Sequence, residues 1–175
     1  MQGVTVNLRK VSLKAGLKST FQVHKTIATE KGIRLIDQIK NTVVIIADKD
    51  MLQLVIRNLI NNAIKFTAPG GEIIISDEIV GDYCRIIIKD NGTGIPVEKH
   101  DSIFSLKVSS TFGTRNEKGV GLGLVLCKEF TELQNGKITF ESEPGIGTTF
   151  YVSFRLYHDA ADVSMPRNKD LVKET

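Results

Sequence analysis

Gln53-Leu54-Val55-Ile56-Arg57-Asn58-Leu59-Ile60-Asn61-Asn62-Ala63-Ile64-Lys65-Phe66-Thr67 is the stretch on which the fold turns. Together with Leu52, its apolar residues Val55, Ile56, Leu59, Ile60, Ala63 and Ile64 recur at the spacing of a helix with one buried face. Asp48 stands where an N-cap carboxylate belongs, and Ala68-Pro69-Gly70-Gly71 ends the pattern. At 100° per residue, Asn58, Asn62 and Lys65 fall within about 60° of one another, at the edge of the apolar arc. Asparagine costs a helix interior roughly 0.5–0.7 kcal/mol against alanine, so Asn58, Asn61 and Asn62 together need a reason. A solvated face is one. The other is chemical: amide oxygens and an ammonium at this spacing suit Mg²⁺ and a phosphate.

Working outward, Leu13, Leu17, Phe21 and Ala28 form an earlier helical stripe that Gly32 caps. Residues 33–39 and 43–47 are β-rich runs, which Lys40-Asn41-Thr42 is expected to join as a hairpin. Downstream, residues 72–80 and 83–89 flank the two-residue turn Gly81-Asp82, a second hairpin. A helix is expected over 124–133, closed by Asn135-Gly136, and residues 137–142 and 148–156 pair around Pro144-Gly145-Ile146-Gly147. Strands arriving in pairs between helices predict an α+β two-layer sandwich, its sheet mixed but mostly antiparallel, with the helices on one face. Residues 90–123 lack periodicity; a loop of that length in a compact domain is expected to be functional, here a lid over a ligand. We expect one domain over residues 1–157, with 1–10 holding a linker remnant and the first strand, and a polar tail or linker over 158–175.

Composition narrows the partners. The 175 residues are 41% hydrophobic and 25% charged, as in soluble globular proteins. A net charge of +3, no Trp, and only three Tyr and eight Phe give neither the basic footprint nor the stacking platforms of a nucleic-acid binder. No apolar run approaches the roughly 20 residues of a membrane span, so a cytoplasmic piece is expected. Cys84 and Cys127, without a CxxC or a nearby Cys-His cluster, read as small buried hydrophobes.

Two further segments carry chemistry. Asp90-Asn91-Gly92-Thr93-Gly94-Ile95-Pro96 directly follows a strand that is apolar at Ile86, Ile87 and Ile88. Asp beside glycines is an ordinary turn composition, yet such a carboxylate also accepts from a base's exocyclic amine while the glycines allow close approach. Gly119-Val120-Gly121-Leu122-Gly123-Leu124 opens a helix, whose free N–H groups favour an anion. The spacing is GxGxG, not the GxGxxG of dinucleotide folds, and Gly16-Leu17-Lys18-Ser19-Thr20 lacks the earlier glycine and the preceding strand of a P-loop.

In this order the segments resemble the catalytic and ATP-binding domain of sensor histidine kinases, of the GHKL superfamily and its Bergerat fold. The resemblance runs from about Val4 to Leu156. It rests on the asparagine stretch 53–67, the box from Asp90 to Pro96, the box from Gly119 to Leu124, and Gly145-Ile146-Gly147-Thr148-Thr149-Phe150. Ile103-Phe104 is similar to the family's phenylalanine box.

The resemblance implies that Asn62 ligates the Mg²⁺ bridging the ATP phosphates, with Asn58 alongside and Lys65 on a phosphate. Phe66 should lie near the nucleotide, Asp90 should read the adenine amino group, and Gly92, Gly94 and Ile95 should line the purine pocket. Thr148 would support Asp90. Gly119, Gly121 and Gly123, with Leu122 and Leu124, would hinge the lid and cradle phosphate, and Arg115 would reach the γ-phosphate. The implied partners are ATP and ADP, a histidine-bearing dimerisation domain of the same parent, and the receiver domain of a response regulator; whether the parent is membrane-anchored is open.

The acceptor histidine is expected on that separate domain. His24 reads as a surface or boundary residue of the first helix. His100 and His158 are each followed by Asp, as an acceptor would be, but neither sits on a helical hairpin. The alternatives are a non-catalytic nucleotide-sensing or docking module, and a GHKL ATPase or serine kinase. The last two types carry a Glu as general base where this chain has Asn58.

Overall fold

The computed structural model describes residues 3–40, 42–106, 113–115 and 122–159. In chain order the elements are β1 (Arg9–Ser12), α1 (Leu13–Lys31), β2 (Arg34–Gln38), β3 (Val44–Ala47), α2 (Lys49–Phe66), β4 (Glu72–Val80), β5 (Tyr83–Asp90), a 3₁₀ segment (Val97–Ser102), α3 (Gly123–Leu133), β6 (Lys137–Glu143) and β7 (Gly147–Leu156). Gly119, Gly121 and the tail from residue 160 lie outside the described residues.

The strands form one sheet in the order β1-β3-β7-β5-β4-β2, with β6 also pairing with β7. β2 runs parallel to β4, and every other pairing is antiparallel. That is the expected mixed, mostly antiparallel sheet. β7 is the central strand: one edge pairs with β5 along its length, and the other is shared by β6 and then by β3 at Arg155 and Leu156.

Period-two alternation sets the layers. Cys84, Ile86, Ile88 and Asp90 of β5 and Thr148, Phe150, Val152 and Phe154 of β7 are buried, while the residues between them face out. The helices cover the buried face, α2 packing against α1, α3 and β5. On the open face Arg85 lies over the Tyr151 ring, 5.5 Å from its centroid, and pairs with Glu78 at 3.2 Å.

The expected hairpin over residues 33–47 does not form. β2 pairs with β4 at one end of the sheet, whereas β3 lies between β1 and β7 near the other. Local sequence identifies both strands, but their partners are fixed from a distance. Arg34 N–H bonds Gly71 O at 3.0 Å, and Lys40 N–H bonds the Asp77 carboxylate at 2.8 Å, so β2 is anchored to β4 at both ends. The hairpins β4–β5 and β6–β7 do form. Cys84 and Cys127 are buried and unpaired, and burial pushes both thiols up to about 12.

α2 is tied down at its start by Asp48. Its Oδ1 accepts from Asp50 and Met51 N–H, each at 3.1 Å, as an N-cap does. Its Oδ2 accepts from Asn7 N–H at 2.8 Å, and its own N–H donates to Gln134 Oε1 at 2.8 Å. One residue therefore joins the segment before β1, the head of α2 and the tail of α3, the first two through its carboxylate and the last through its N–H. The Asn7 bond, ahead of the two cap bonds, holds this carboxyl below the usual carboxylate value. Replacing Asp48 with Ala is expected to lower folding stability by about 1–2 kcal/mol, read as a lower urea midpoint. Because the folded-state value is depressed, that gap should be full above the ordinary 3.8 and shrink as pH falls below it; a gap unchanged at low pH contradicts the assignment.

Candidate nucleotide site

Asp90 is the last residue of β5, and alternation makes it continue the buried row of Ile86 and Ile88. In register it stands between Ile73 of β4 and Thr148 of β7. A carboxylate at that place is expensive unless bonded. Gly92 N–H donates to Oδ1 at 2.9 Å and Thr148 N–H at 3.2 Å. Burial nevertheless dominates and pushes the carboxyl up to about 6, against the lowering effect of the two backbone bonds. Both donors reach the same oxygen. Oδ2 takes neither of them.

The loop after Asp90 is stitched to two neighbours. Thr93 N–H bonds Phe66 O at 3.0 Å, and Gly145 N–H bonds Thr93 O at 2.7 Å. Ser142 Oγ accepts from Ile95 N–H at 2.8 Å and lies 2.8 Å from Thr148 Oγ1. A Cβ on Gly92 would collide with Phe66 O, and one on Gly94, where φ is +69°, with Glu143 O. Glycine is needed at both for the backbones to meet.

These contacts bring the acidic loop to the C-terminal end of α2, where Lys65 and Phe66 sit. Lys65 Nζ lies 5.0 Å from the centroid of the Phe66 ring. Thr114 N–H bonds Lys65 O at 3.0 Å and Thr114 Oγ1 bonds Thr67 O at 3.1 Å, so the exposed Arg115 follows a residue docked on the same helix end. Further up α2, Asn58 and Asn62 are half-buried on one edge. A Cβ on Gly123 would meet Asn58 Oδ1 at 3.6 Å, which sets the first turn of α3 beside that amide. Leu124 packs on the core, whereas Leu122 is exposed.

Asn61 is accounted for differently from its two neighbours. Its amide oxygen lies 3.1 Å from His24 Nε2, while His24 Nδ1–H donates to Thr20 O at 2.6 Å. His24 is buried, a correction to the surface or boundary position expected for it. It occupies the stripe of Leu17, Phe21 and Ala28, and a polar residue at that spacing was the signal. The same stripe ends at buried Lys31, which sequence reasoning also missed. Ser142 left no such trace.

His100 donates to Ile95 O at 2.9 Å and packs edge-on against Phe140, with centroids 5.2 Å apart. Phe104 joins the cluster through Phe140 and Phe150, at 5.9 and 6.4 Å. His158 pairs with Asp82 at 3.6 Å. None of these contacts of His100 or His158 involves the asparagine helix.

Among the described residues no group of three or more His, Cys, Asp or Glu side chains is arranged to hold a metal ion. Asn58 and Asn62 do fit Mg²⁺, a hard cation that takes few protein oxygens and completes its shell with water and phosphate.

A model of the family described as histidine kinase-, DNA gyrase B-, and HSP90-like ATPase matches residues 47–158. The adaptive-response sensory kinase SasA of Crocosphaera subtropica is 33% identical over 156 residues, which is 87% of this chain and 40% of that protein. The catalytic domain of histidine kinase ThkA, solved without nucleotide, matches with a TM-score of 0.75 at 25% identity over 85% of this chain and 95% of that one. Full-length ShkA in complex with AMPPNP shares the fold, with a TM-score of 0.74 at 23% identity over 88% of this chain and 32% of that one. The chain spans less than half the length of the curated relatives it matches. It belongs to the histidine kinase-, DNA gyrase B- and HSP90-like ATPase family, as a catalytic ATP-binding domain of the sensor histidine kinase type.

Proposed function

We propose that residues 1–157 bind ATP and transfer its γ-phosphoryl group to a histidine on a dimerisation domain of the same parent protein, for relay to a response regulator. Residues 158–175 serve as a polar tail or linker. The reading includes a cytoplasmic setting; among the described residues no helix is long and apolar enough to cross a membrane.

The observation that carries it is the buried Asp90 carboxylate, whose two backbone donors both bond Oδ1 and leave Oδ2 outside those bonds. An exocyclic amine is the group that suits such an acceptor. Gly92, Gly94 and Ile95 then line the purine, and Thr148 contributes its N–H to Asp90 rather than its hydroxyl, which faces Ser142. Phe66 lies next to Lys65, whose ammonium takes a phosphate. AMPPNP in ShkA supports a nucleotide in this fold.

Phosphoryl transfer asks little covalent chemistry of a protein; it requires phosphates positioned and their charge neutralised. Asn62, with Asn58 beside it, is the residue to hold Mg²⁺, which supplies charge neutralisation when bound. Lys65 and Arg115 add positive charge, while Gly119, Gly121, Leu122, Gly123 and Leu124 give the phosphates a glycine-rich helix start. Position 58 is an amide, which cannot serve as a general base for water. ATP should be held rather than hydrolysed.

Two outcomes test this. In Asp90→Asn the amide oxygen stays with the Gly92 and Thr148 N–H groups, so the NH₂ replaces Oδ2 and sets a donor against the adenine amine. Adenosine affinity should fall at least about tenfold, and in the parent chain it should fall as pH drops through about 6, where Asp90 protonates. Adenosine has no phosphate to titrate in that range. Unchanged affinity in Asp90→Asn favours a docking module. For the reaction itself, labelled ATP should leave no stoichiometric acid-labile phosphate on this chain alone and should label the separately prepared histidine domain when the two are mixed. Rapid steady hydrolysis instead supports the ATPase reading.

A further inference from the structure

Lys31 is the last residue of α1 and one of the few buried charged groups in the protein. An apolar side chain would fill that place without the desolvation cost of an ammonium. The ammonium instead donates to Ile64 O at 2.7 Å and to Lys65 O at 3.0 Å. These carbonyls belong to the final turn of α2, which stops at Phe66 with Thr67 extended. A helix end leaves such carbonyls without intrahelical partners, and the residue that follows them, Thr67, is fully buried.

We propose that Lys31 is a positioning residue for the phosphate end of the nucleotide, acting through the backbone of Lys65; this rests on the nucleotide reading given above. Lys65 O is held by Lys31 Nζ from α1 and, from the segment that carries Arg115, by Thr114 through its N–H at 3.0 Å and its hydroxyl at 3.4 Å. Lys31 therefore fixes the carbonyl on which Thr114 docks and the Cα from which the Lys65 ammonium extends. Both cations assigned to phosphate depend on that one peptide unit. The purine end is independent of it, since Asp90 is held by Gly92 and Thr148.

The test is calorimetric titration of AMPPNP with Mg²⁺, and separately of adenosine, into the intact chain and its variants. Lys31→Met should weaken AMPPNP about tenfold and adenosine less than about twofold. Lys31→Gln loses the charge but keeps two donors, and should bind AMPPNP within about threefold of the parent, which separates hydrogen bonding from long-range charge. In a Lys65→Met background, Lys31→Met should add a smaller loss than it causes in the parent, because only its effect through Thr114 and Arg115 remains.

Equal weakening of both ligands, or losses that add in the double variant, would overturn the proposal. If Lys31→Met does not fold, Lys31→Ser, small enough to admit water to the two carbonyls, decides: a loss confined to AMPPNP supports the proposal, and an equal loss on adenosine, or no loss on either ligand, overturns it. A parent chain that binds neither ligand sinks the nucleotide reading itself. Binding lost in Asp90→Asn but untouched in Lys31→Met sinks only the role of Lys31.

Discussion

α2 ends inside the protein, and the carbonyls of its last turn must find donors away from the helix axis. Ile64 and Lys65 take Lys31, Lys65 also takes Thr114, Phe66 takes Thr93, and Thr67 takes the Thr114 hydroxyl. Three separate pieces of chain, the end of α1, the loop after Asp90 and the segment around Thr114, are thus fastened to one turn. The other end obeys the same rule in reverse: Asp48 satisfies the free N–H groups and ties in Asn7 and Gln134. The amides and ammonium on the edge of α2 therefore sit on an element held at both ends from outside itself. A site carried on such an element keeps its geometry with little reorganisation.

The Asp90 side is built differently. Its rigidity comes from β-sheet register: Asp90 opposite Thr148, and Ser142 opposite Thr148 on the far edge of β7. Ser142 binds Ile95 N–H and Gly147 O, so the loop carrying Gly92 and Gly94 is held by β6 as well as by α2. The close approach of the Gly92 backbone to Phe66 O joins the two halves. A side chain there would pry the acidic loop from the helix that carries Lys65.

Much of this was legible in residue spacing. The alternation through Ile86, Ile88 and Asp90 is enough to put the carboxylate on the core face, and α2 announces its face, its cap and its stop. What spacing does not carry is partnership across the chain. β2 and β3 have the composition of strands, but nothing local tells that one belongs with β4 and the other with β7. His24 and Lys31 continue an apolar stripe in α1 at helical spacing, so their burial was readable; their bonds to Asn61 and to the last turn of α2 were not, because those depend on how two helices cross. Gly119 and Gly121 fall outside the described residues, and their part in the site stands on the resemblance alone.

The two buried carboxylates pull stability in opposite directions with pH. Asp48 is bonded through both oxygens and its folded-state value lies below the usual one, so it supports the fold above 3.8 and less as pH falls past that value. Asp90 is bonded through one oxygen only, and burial raises it to about 6. Its ionised form therefore weighs against the folded chain above about 6, and that strain eases as pH falls toward the ordinary carboxylate value. A residue kept against its own contribution to stability is one whose charge serves something outside the fold. On the proposed reading, the amine of a bound purine offsets that cost and couples ligand binding to folding. The two aspartates thus differ in kind: the protein's own N–H groups reach both oxygens of Asp48 and only Oδ1 of Asp90 among the described residues.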